Sequence, residues 1–425
     1  MLLAAVMRRF FRFGRLILVD AAGKRHQICS CGGPEVVIRV TDKGTQRKLL
    51  RANALVWGEA YMDGRLVLDR GSLADLIEIH ARSEQQSDDG SPGAGTRILD
   101  SLLAASRHYI PARRARRNAA HHYDLAEDLY ALFLDSDLQY SCAYFRTGAE
   151  DLETAQLDKK RHIAAKLEIR PGMQVLDIGS GWGGMALYLA RRFDCRVTGI
   201  TLSQRQLELS RRRAREQGLA ARVDFELCDY RSMHGSYDRI VSIGMLEHVG
   251  PLHYRAYFGK LRDLLRADGV ALVHSIARMH GPRPADPWLH KYIFPGGYLP
   301  ALSQLTSAVE SSDLWLTDLE NLRLHYAQTL DHWHRRFSAN RAKIRELYDE
   351  RFCRMWELYL LGCEAVFRYY PVSVVQLQIS REIASLPVTR DYQYRKEREL
   401  AAIDGGAQAQ TGDKGGTAKP AAIDL

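Results

Sequence analysis

Apolar and polar positions change their period along the chain. In VVIRV (36–40) and ANALVWGEAYMDGRLVLD (52–69) they alternate as in a half-buried strand, whereas LADLIEIHAR (73–82) repeats at helical spacing. Residues 1–82 are therefore expected to form a small N-terminal α+β unit. The stretch SEQQSDDGSPGAG (83–95), polar and rich in Ser, Gly and Pro, reads as a linker. From about residue 160, apolar runs suited to buried strands (MQVLDIG, CRVTGIT, RVDFELCD, DRIVSIGML, GVALVHSIA) alternate with helical stretches such as GMALYLARRF and SQRQLELSRRRAREQG. Such alternation predicts an α/β fold, a mainly parallel sheet with helices on both faces, within a main unit spanning 96–398. A Pro- and Gly-rich insert at 278–310 is expected to form a lid or loop, and helical periodicity resumes over 330–368. Residues 399–425 hold too little apolar surface to order themselves and read as a disordered tail.

Composition narrows this picture only a little. The 425 residues suffice for two or more domains, and 46% hydrophobic with 26% charged residues is ordinary for a globular protein. The net charge of +9 favours an acidic partner, nucleic acid or an anionic membrane surface. Arg113, Arg114, Arg116 and Arg117 form a basic patch that fits a solvated helix face or a phosphate-binding one. At the N-terminus, Arg8, Arg9, Arg12 and Arg15 interrupt every apolar run that could span a bilayer, and no small-residue cleavage site follows. With Phe10, Phe11 and Phe13 among them, these arginines predict a basic amphipathic helix that lies on anionic lipid or packs on its own domain. Of seven cysteines only Cys29 and Cys31 are close in sequence, which indicates neither a disulfide framework nor a metal site. Reduced thiols in a cytoplasmic protein are the expectation.

Chemistry is concentrated in VLDIGSGWGG (175–184), where a strand meets a turn carrying Gly179, Gly181, Gly183 and Gly184. The spacing satisfies the dinucleotide pattern G-x-G-x-x-G. Two features count against it. Asp177 stands where an acid faces a cationic or hydroxyl-rich ligand, and the next strand ends GITLSQ without an acid for a ribose. The form D-x-G-x-G-x-G points instead to S-adenosylmethionine and methyl transfer. A second puzzle is VSIGMLEHVG (241–250), a buried-strand pattern ending on Glu247 and His248. Burying a carboxylate is costly unless it is paired or used.

Taken with HHYDLAEDLYALFLDSDLQYSCAYF (121–145), GITLSQRQ, DYR (229–231) and ALVHSI, these segments resemble the cyclopropane-fatty-acid synthases and their mycolic acid relatives. The resemblance spans about residues 120–370, and the N-terminal unit resembles that family's small extra domain. It implies a class I S-adenosylmethionine-dependent methyltransferase fold (Rossmann-like, mainly parallel sheet), with 96–398 as catalytic domain and helical lid. By this resemblance Tyr123, Tyr140 and Ser141 flank the sulfonium cofactor, and Gly179, Gly181 and Gly183 lie under it beside Asp177. Thr201, Leu202 and Gln206 match the ribose–adenosine segment, and Tyr230 and Arg231 the adenine pair. Cys142, Glu247, His274, Ile276 and Tyr326 match a bicarbonate site, with Cys142 and Ile276 acting through their backbone. Cys363 matches a suspected nucleophile, yet its apolar helix face suggests a structural role. Read singly, His274 is a core histidine, Tyr326 helix packing and Cys142 a small buried residue; together they favour the ion site.

The implied activity is transfer of a methylene group from S-adenosylmethionine to the cis double bond of unsaturated phospholipid acyl chains, closing a cyclopropane ring. The alternative is a fatty-acid C-methyltransferase leaving a methyl branch. The implied partner is the anionic inner face of a membrane, met peripherally, rather than nucleic acid. A homodimer is compatible with the resemblance.

Overall fold

The computed structural model describes residues 2–51, 53–86 and 127–412, with side chains up to residue 405. The basic patch at 113–117 and Tyr123 lie outside these residues.

Near the N-terminus, strands β1 (Gly14–Val19), β2 (Arg25–Cys31), β3 (Glu35–Val40) and β4 (Leu66–Arg70) form a sheet in the order β2-β1-β3-β4. The helix Leu2–Phe10 lays Leu3, Ala4 and Met7 onto this unit and leaves Leu2 and Phe10 exposed. The strand expected from residue 52 is not one. Ala54–Met62 is a helix whose N-cap, Asn53, accepts the Leu55 N–H, and only Leu66–Arg70 keeps the extended form. Its apolar residues run almost all round, so alternation there does not report a strand. The following helix, Leu73–Gln85, starts in a Ser72–Asp75 capping box and runs into the expected linker. Ser83 is the reason. Its buried Oγ accepts the N–H groups of Arg12 and Phe13 at 2.9 and 3.0 Å and donates to Ile79 O at 2.6 Å.

A second sheet has seven strands, β5 (Gln174–Ile178), β6 (Arg196–Thr201), β7 (Val223–Leu227), β8 (Tyr237–Ile243), β9 (Leu265–Arg278), β10 (Trp315–Asn321) and β11 (Val372–Ser380). Their order is β10-β11-β9-β8-β5-β6-β7, with β5 to β9 parallel and β11 antiparallel to both of its neighbours. The strand order reverses between β5 and β8, and a crevice opens there at the carboxyl ends of the strands. The runs expected as strands are β5 to β9; β10 and β11 were not expected. Every residue of β11 is buried, including Gln376 and Gln378, which bond to side chains and backbone of other elements. That polar interior hides the strand from a hydrophobic pattern.

Helices Leu152–Leu167, Gly184–Phe193 and Gln204–Glu216 cover this sheet, and helices His325–Ala339 and Glu350–Tyr369 carry an aromatic layer beside it. The Pro/Gly-rich insert contains the short helix Pro287–Tyr292, tied to the N-terminal unit by Trp288 Nε1 donating to Met62 Sδ and by a Lys291–Glu59 ion pair. The tail expected from residue 399 begins inside a helix, Asp391–Gly412. Leu400 is buried, and the buried Asp404 pairs with Arg161 at 2.6 Å and Arg192 at 2.5 Å. Among the described residues no helix is long and apolar enough to cross a membrane.

Candidate active site

The crevice between β5 and β8 is a cleft of about 1380 Å³ including its open mouth. The glycine turn forms its floor. Gly179, Gly181 and Gly183 all have positive φ, and the N–H groups of Gly179 and Ser180 both donate to Ile200 O at 2.9 Å. Gly179 and Gly181 face the cleft, but Gly183 does not. A Cβ there would stand 2.7 Å from the Phe225 ring and 2.9 Å from Ser210, so Gly183 serves close packing beneath the helix Gly184–Phe193.

Asp177, at the end of β5, is 2% exposed, and its Oδ2 has no hydrogen-bond partner among the described residues. Burial pushes its carboxyl up to about 7, opposed by the nearby Lys159 ammonium. Lys159 donates to Gln139 Oε1 at 2.6 Å and Ser141 Oγ at 2.8 Å, holding the Tyr140–Ser141 wall. Thr201 donates to Gln206 Oε1 at 2.6 Å. Arg231 is folded back onto Asp229, which accepts from its backbone N–H and its guanidinium, while the Tyr230 ring packs edge-on against Tyr257. Tyr140, Ser141, Asp177, Thr201, Leu202, Gln206, Tyr230 and Arg231 thus all line the cleft as expected. Gln139, Trp182, Met245 and the insert's Pro295–Gly296 line it too and were not singled out, as does His248, noted in the sequence only as part of the strand end. His248 therefore borders the cleft as well as the turn, and burial holds its imidazole down to about 4.

The second constellation lies behind this cleft. β8 passes into a single turn, Leu246–His248, that buries Glu247 to 8% exposure. Its Oε1 accepts the Ile276 N–H at 2.7 Å, and its backbone carbonyl accepts the Tyr298 N–H at 2.9 Å. Its Oε2 is buried without a partner among the described residues, and burial raises the carboxyl above its ordinary range. Cys142, Ile276, Tyr326 and Cys363 belong to one apolar cluster, and the Tyr326 hydroxyl feels Cys142, Cys363 and Glu247 electrostatically. The Ile276 amide differs from expectation in being engaged by Glu247. Cys363 is pushed up to about 12 by burial, and Cys142 is raised further, so neither is a ready nucleophile at neutral pH.

His274 joins less directly. It sits on β9 two residues before Ile276, hence on the same sheet face, with its Nδ1 at 3.2 Å from Gln376 Nε2. Its Nε2 is buried and unpartnered among the described residues, and burial holds it far below the usual imidazole range.

Beyond Tyr140 and Tyr326, the aromatic cluster around these residues was missed in the sequence. Tyr130, Phe133, Tyr140, Tyr326, Trp333, Trp356 and Tyr359 pack in edge and tilted contacts, and the Tyr140 and Tyr359 hydroxyls are 2.7 Å apart. The available signal was helical spacing of aromatics, Tyr326 to Trp333 and Trp356 to Tyr359. Such faces present negative quadrupoles that favour a cation in a dry pocket.

The sequence model of the mycolic acid cyclopropane synthetase family matches residues 111–377. The chain is 35% identical over 379 residues to a probable fatty acid methyltransferase of Pseudomonas putida, spanning 85% of this chain and 92% of that one. It is 37% identical over 356 residues to the cyclopropane-fatty-acyl-phospholipid synthase of Escherichia coli K12, spanning 83% and 90%. The solved mycolic acid cyclopropane synthase CmaA1 complexed with SAH and CTAB superposes with a TM-score of 0.60 at 32% identity, covering 64% of this chain and 98% of that one. A crevice at the switch point of a seven-stranded sheet, with a buried acid on the turn after β8 and an aromatic cluster sharing Tyr140, accords with these matches: the chain belongs to the mycolic acid cyclopropane synthetase family, with the fold of a class I S-adenosylmethionine-dependent methyltransferase.

Proposed function

We propose that this protein binds S-adenosylmethionine in the β5–β8 cleft and converts the cis double bond of an unsaturated phospholipid acyl chain to a cyclopropane ring, with bicarbonate as the base. The observation that carries the reading is two buried polar atoms, Glu247 Oε2 and His274 Nε2, without a partner among the described residues and linked through Ile276, whose amide bonds Glu247 and which stands two residues after His274 on β9. Unpaired polar atoms in a dry interior are costly, and a small anion would satisfy both. The cofactor fits the cleft on similar grounds. The unpartnered Asp177 carboxyl suits a cationic or hydroxyl-bearing group, and the Gly179–Gly181 turn permits close approach. That a solved relative is complexed with SAH supports the choice of cofactor.

When bound, S-adenosylmethionine supplies an electrophilic methyl group. Its addition to an alkene leaves positive charge on the neighbouring carbon, and ring closure requires loss of one proton from the added methyl. The rings of Tyr140, Tyr326 and Trp333 stabilise that charge and exclude the water that would quench it. Burial raises the Glu247 carboxyl, and because Oε1 accepts from the Ile276 N–H, Oε2 is the oxygen that would carry a proton and donate it to an anion. Glu247 thus holds the base rather than acting as it. Bicarbonate held there by Glu247 and His274 would supply the base for the methyl proton. The net result is one added CH2 per acyl chain. The acyl chain is drawn from an anionic membrane surface, reached peripherally.

A methyl-branched product is the second reading, favoured by the similarity to the Pseudomonas methyltransferase. Replacing Glu247 by Ala is expected to leave cofactor affinity within about threefold while lowering ring formation by about 10²-fold or more. Cofactor affinity from calorimetry and product from mass spectrometry report the two quantities. Weak cofactor binding with normal turnover of the loaded enzyme would contradict the assignment.

A further inference from the structure

His274 has a partner that sets which of its nitrogens carries the proton. In the β9–β11 register His274 stands directly opposite Gln376, whose amide lies 3.2 Å from Nδ1. A glutamine could present either its oxygen or its NH2 to a ring nitrogen, and the choice is settled by the residue behind it. Lys166, on the helix Leu152–Leu167, places its Nζ 2.7 Å from Gln376 Oε1. An ammonium has donors and no acceptor, so it demands the oxygen. Gln376 must then turn its NH2 toward His274, and Nδ1 must accept. A neutral imidazole accepting at Nδ1 carries its proton at Nε2.

We infer that Lys166 and Gln376 form a tautomer lock that makes the buried Nε2 of His274, unpartnered among the described residues, an N–H donor, a holder of an anion and not a proton acceptor. This rests on the reading that an anion binds there. Lys166 is itself fixed. Its ammonium pairs with Glu320 Oε2, which also bonds His162 Nε2 at 2.5 Å, while His162 Nδ1 bonds Glu397. Burial pulls the Lys166 amine down and the Glu320 carboxylate opposes it, and the contacts with His162 and Lys166 hold Glu320 well below the carboxylate range. Burial and the neighbouring Lys159 and Lys166 ammonium groups lower the His274 imidazole, set against Glu320. They disfavour the doubly protonated ring, so the neutral tautomer is the state that matters. Gln376 and Lys166 are positioning residues. Neither lines the cofactor cleft.

The test is long-range 15N–1H spectroscopy on the full chain carrying 15N-labelled histidine, with His274 assigned by difference against His274→Gln. The expected result is a neutral His274 protonated on Nε2 in the unmodified protein, and a mixture of both tautomers in Gln376→Met and in Lys166→Met. A His274 protonated on Nδ1, or an Nε2–H state unaltered in both variants, would overturn the lock. In carbonate-depleted buffer, the bicarbonate concentration giving half-maximal product is expected to rise about tenfold in Gln376→Met, as for one lost oriented hydrogen bond, with cofactor affinity unchanged. Spectra that show the lock in a protein whose turnover ignores bicarbonate would instead refute the proposed anion, so the two failures are separable.

Discussion

Burial moves the Asp177 carboxyl from 3.8 to about 7, and this has a consequence for stability before any ligand binds. An acid whose folded-state value lies above its unfolded value binds more protons when folded, so its contribution falls as pH rises through that interval and is lost above it. A shift of this size corresponds to an upper bound of about 4 kcal/mol. Without cofactor, Asp177→Asn is expected to be less destabilised than the unmodified protein between pH 5 and pH 8, as read by denaturant melts at the two values. Equal pH dependence in both proteins would show that the carboxyl is not held neutral. At the same scale, Cys363 is buried and raised to about 12, and methylation of an alkene needs no covalent enzyme intermediate. Cys363→Ala is expected to keep turnover within about fivefold, losing at most a few methylene-sized contacts. A loss of about 10³-fold with the fold intact would revive the nucleophile. Glu247 was legible as a conflict, an acid ending an apolar strand, and the structure resolves it through the Ile276 amide and an orphaned oxygen. Gly183 was legible as a glycine but not in its role, because a packing contact with Phe225 is set by a strand more than forty residues away.

Elements showed themselves in the sequence where burial was mainly apolar. β5 to β9 are such runs despite buried Asp177, Arg239 and His274, and their alternation with helices carried the fold. β10 and β11 were hidden because their polar residues are satisfied from afar: Glu320 by Lys166 and His162, Gln376 by Lys166, Gln378 by the Lys166 carbonyl. No local pattern announces such pairing. The helix Ala54–Met62 was misread because a mostly apolar segment has no clear period, and its Asn53 cap was the signal to weigh. The C-terminal helix was misread as tail for a related reason. Its anchor is Asp404, buried between Arg161 and Arg192, in a stretch otherwise poor in apolar residues. Ending the chain at residue 398 is expected to destabilise the protein by about 2–5 kcal/mol, because it removes the buried Leu400 and takes Asp404 from the half-buried Arg192 and Arg161, leaving Arg161 only Asp158 among the described residues. Asp404→Asn is expected to shift the midpoint of denaturation in the same direction, by less. An unchanged midpoint in the truncated chain would show that the helix is only decoration.

For the whole molecule, the cleft and the aromatic cluster meet at Tyr140, beside the central strands of the sheet. β8 supplies Glu247 at its end, β9 supplies Ile276 and His274, and the helical layer closes the pocket with Tyr326 and Trp333. The insert between β9 and β10 contributes Pro295 and Gly296 to the cleft while its helix Pro287–Tyr292 is fastened to the N-terminal unit. Much of the cofactor cleft was readable from short motifs because its residues follow strand ends in sequence. The aromatic pocket was not, since its rings come from three separate segments that only the fold assembles.

The central claim is that the methyl carbon ends in a ring. Incubating the full chain with S-adenosylmethionine, bicarbonate and vesicles of unsaturated, partly anionic phospholipid, followed by mass spectrometry and proton NMR of the released acyl chains, reads this directly. Ring formation predicts a gain of one CH2 per chain with loss of olefinic protons and appearance of cyclopropane protons. An exomethylene or saturated methyl branch, or chains returned unaltered by a protein that binds the cofactor, would contradict it.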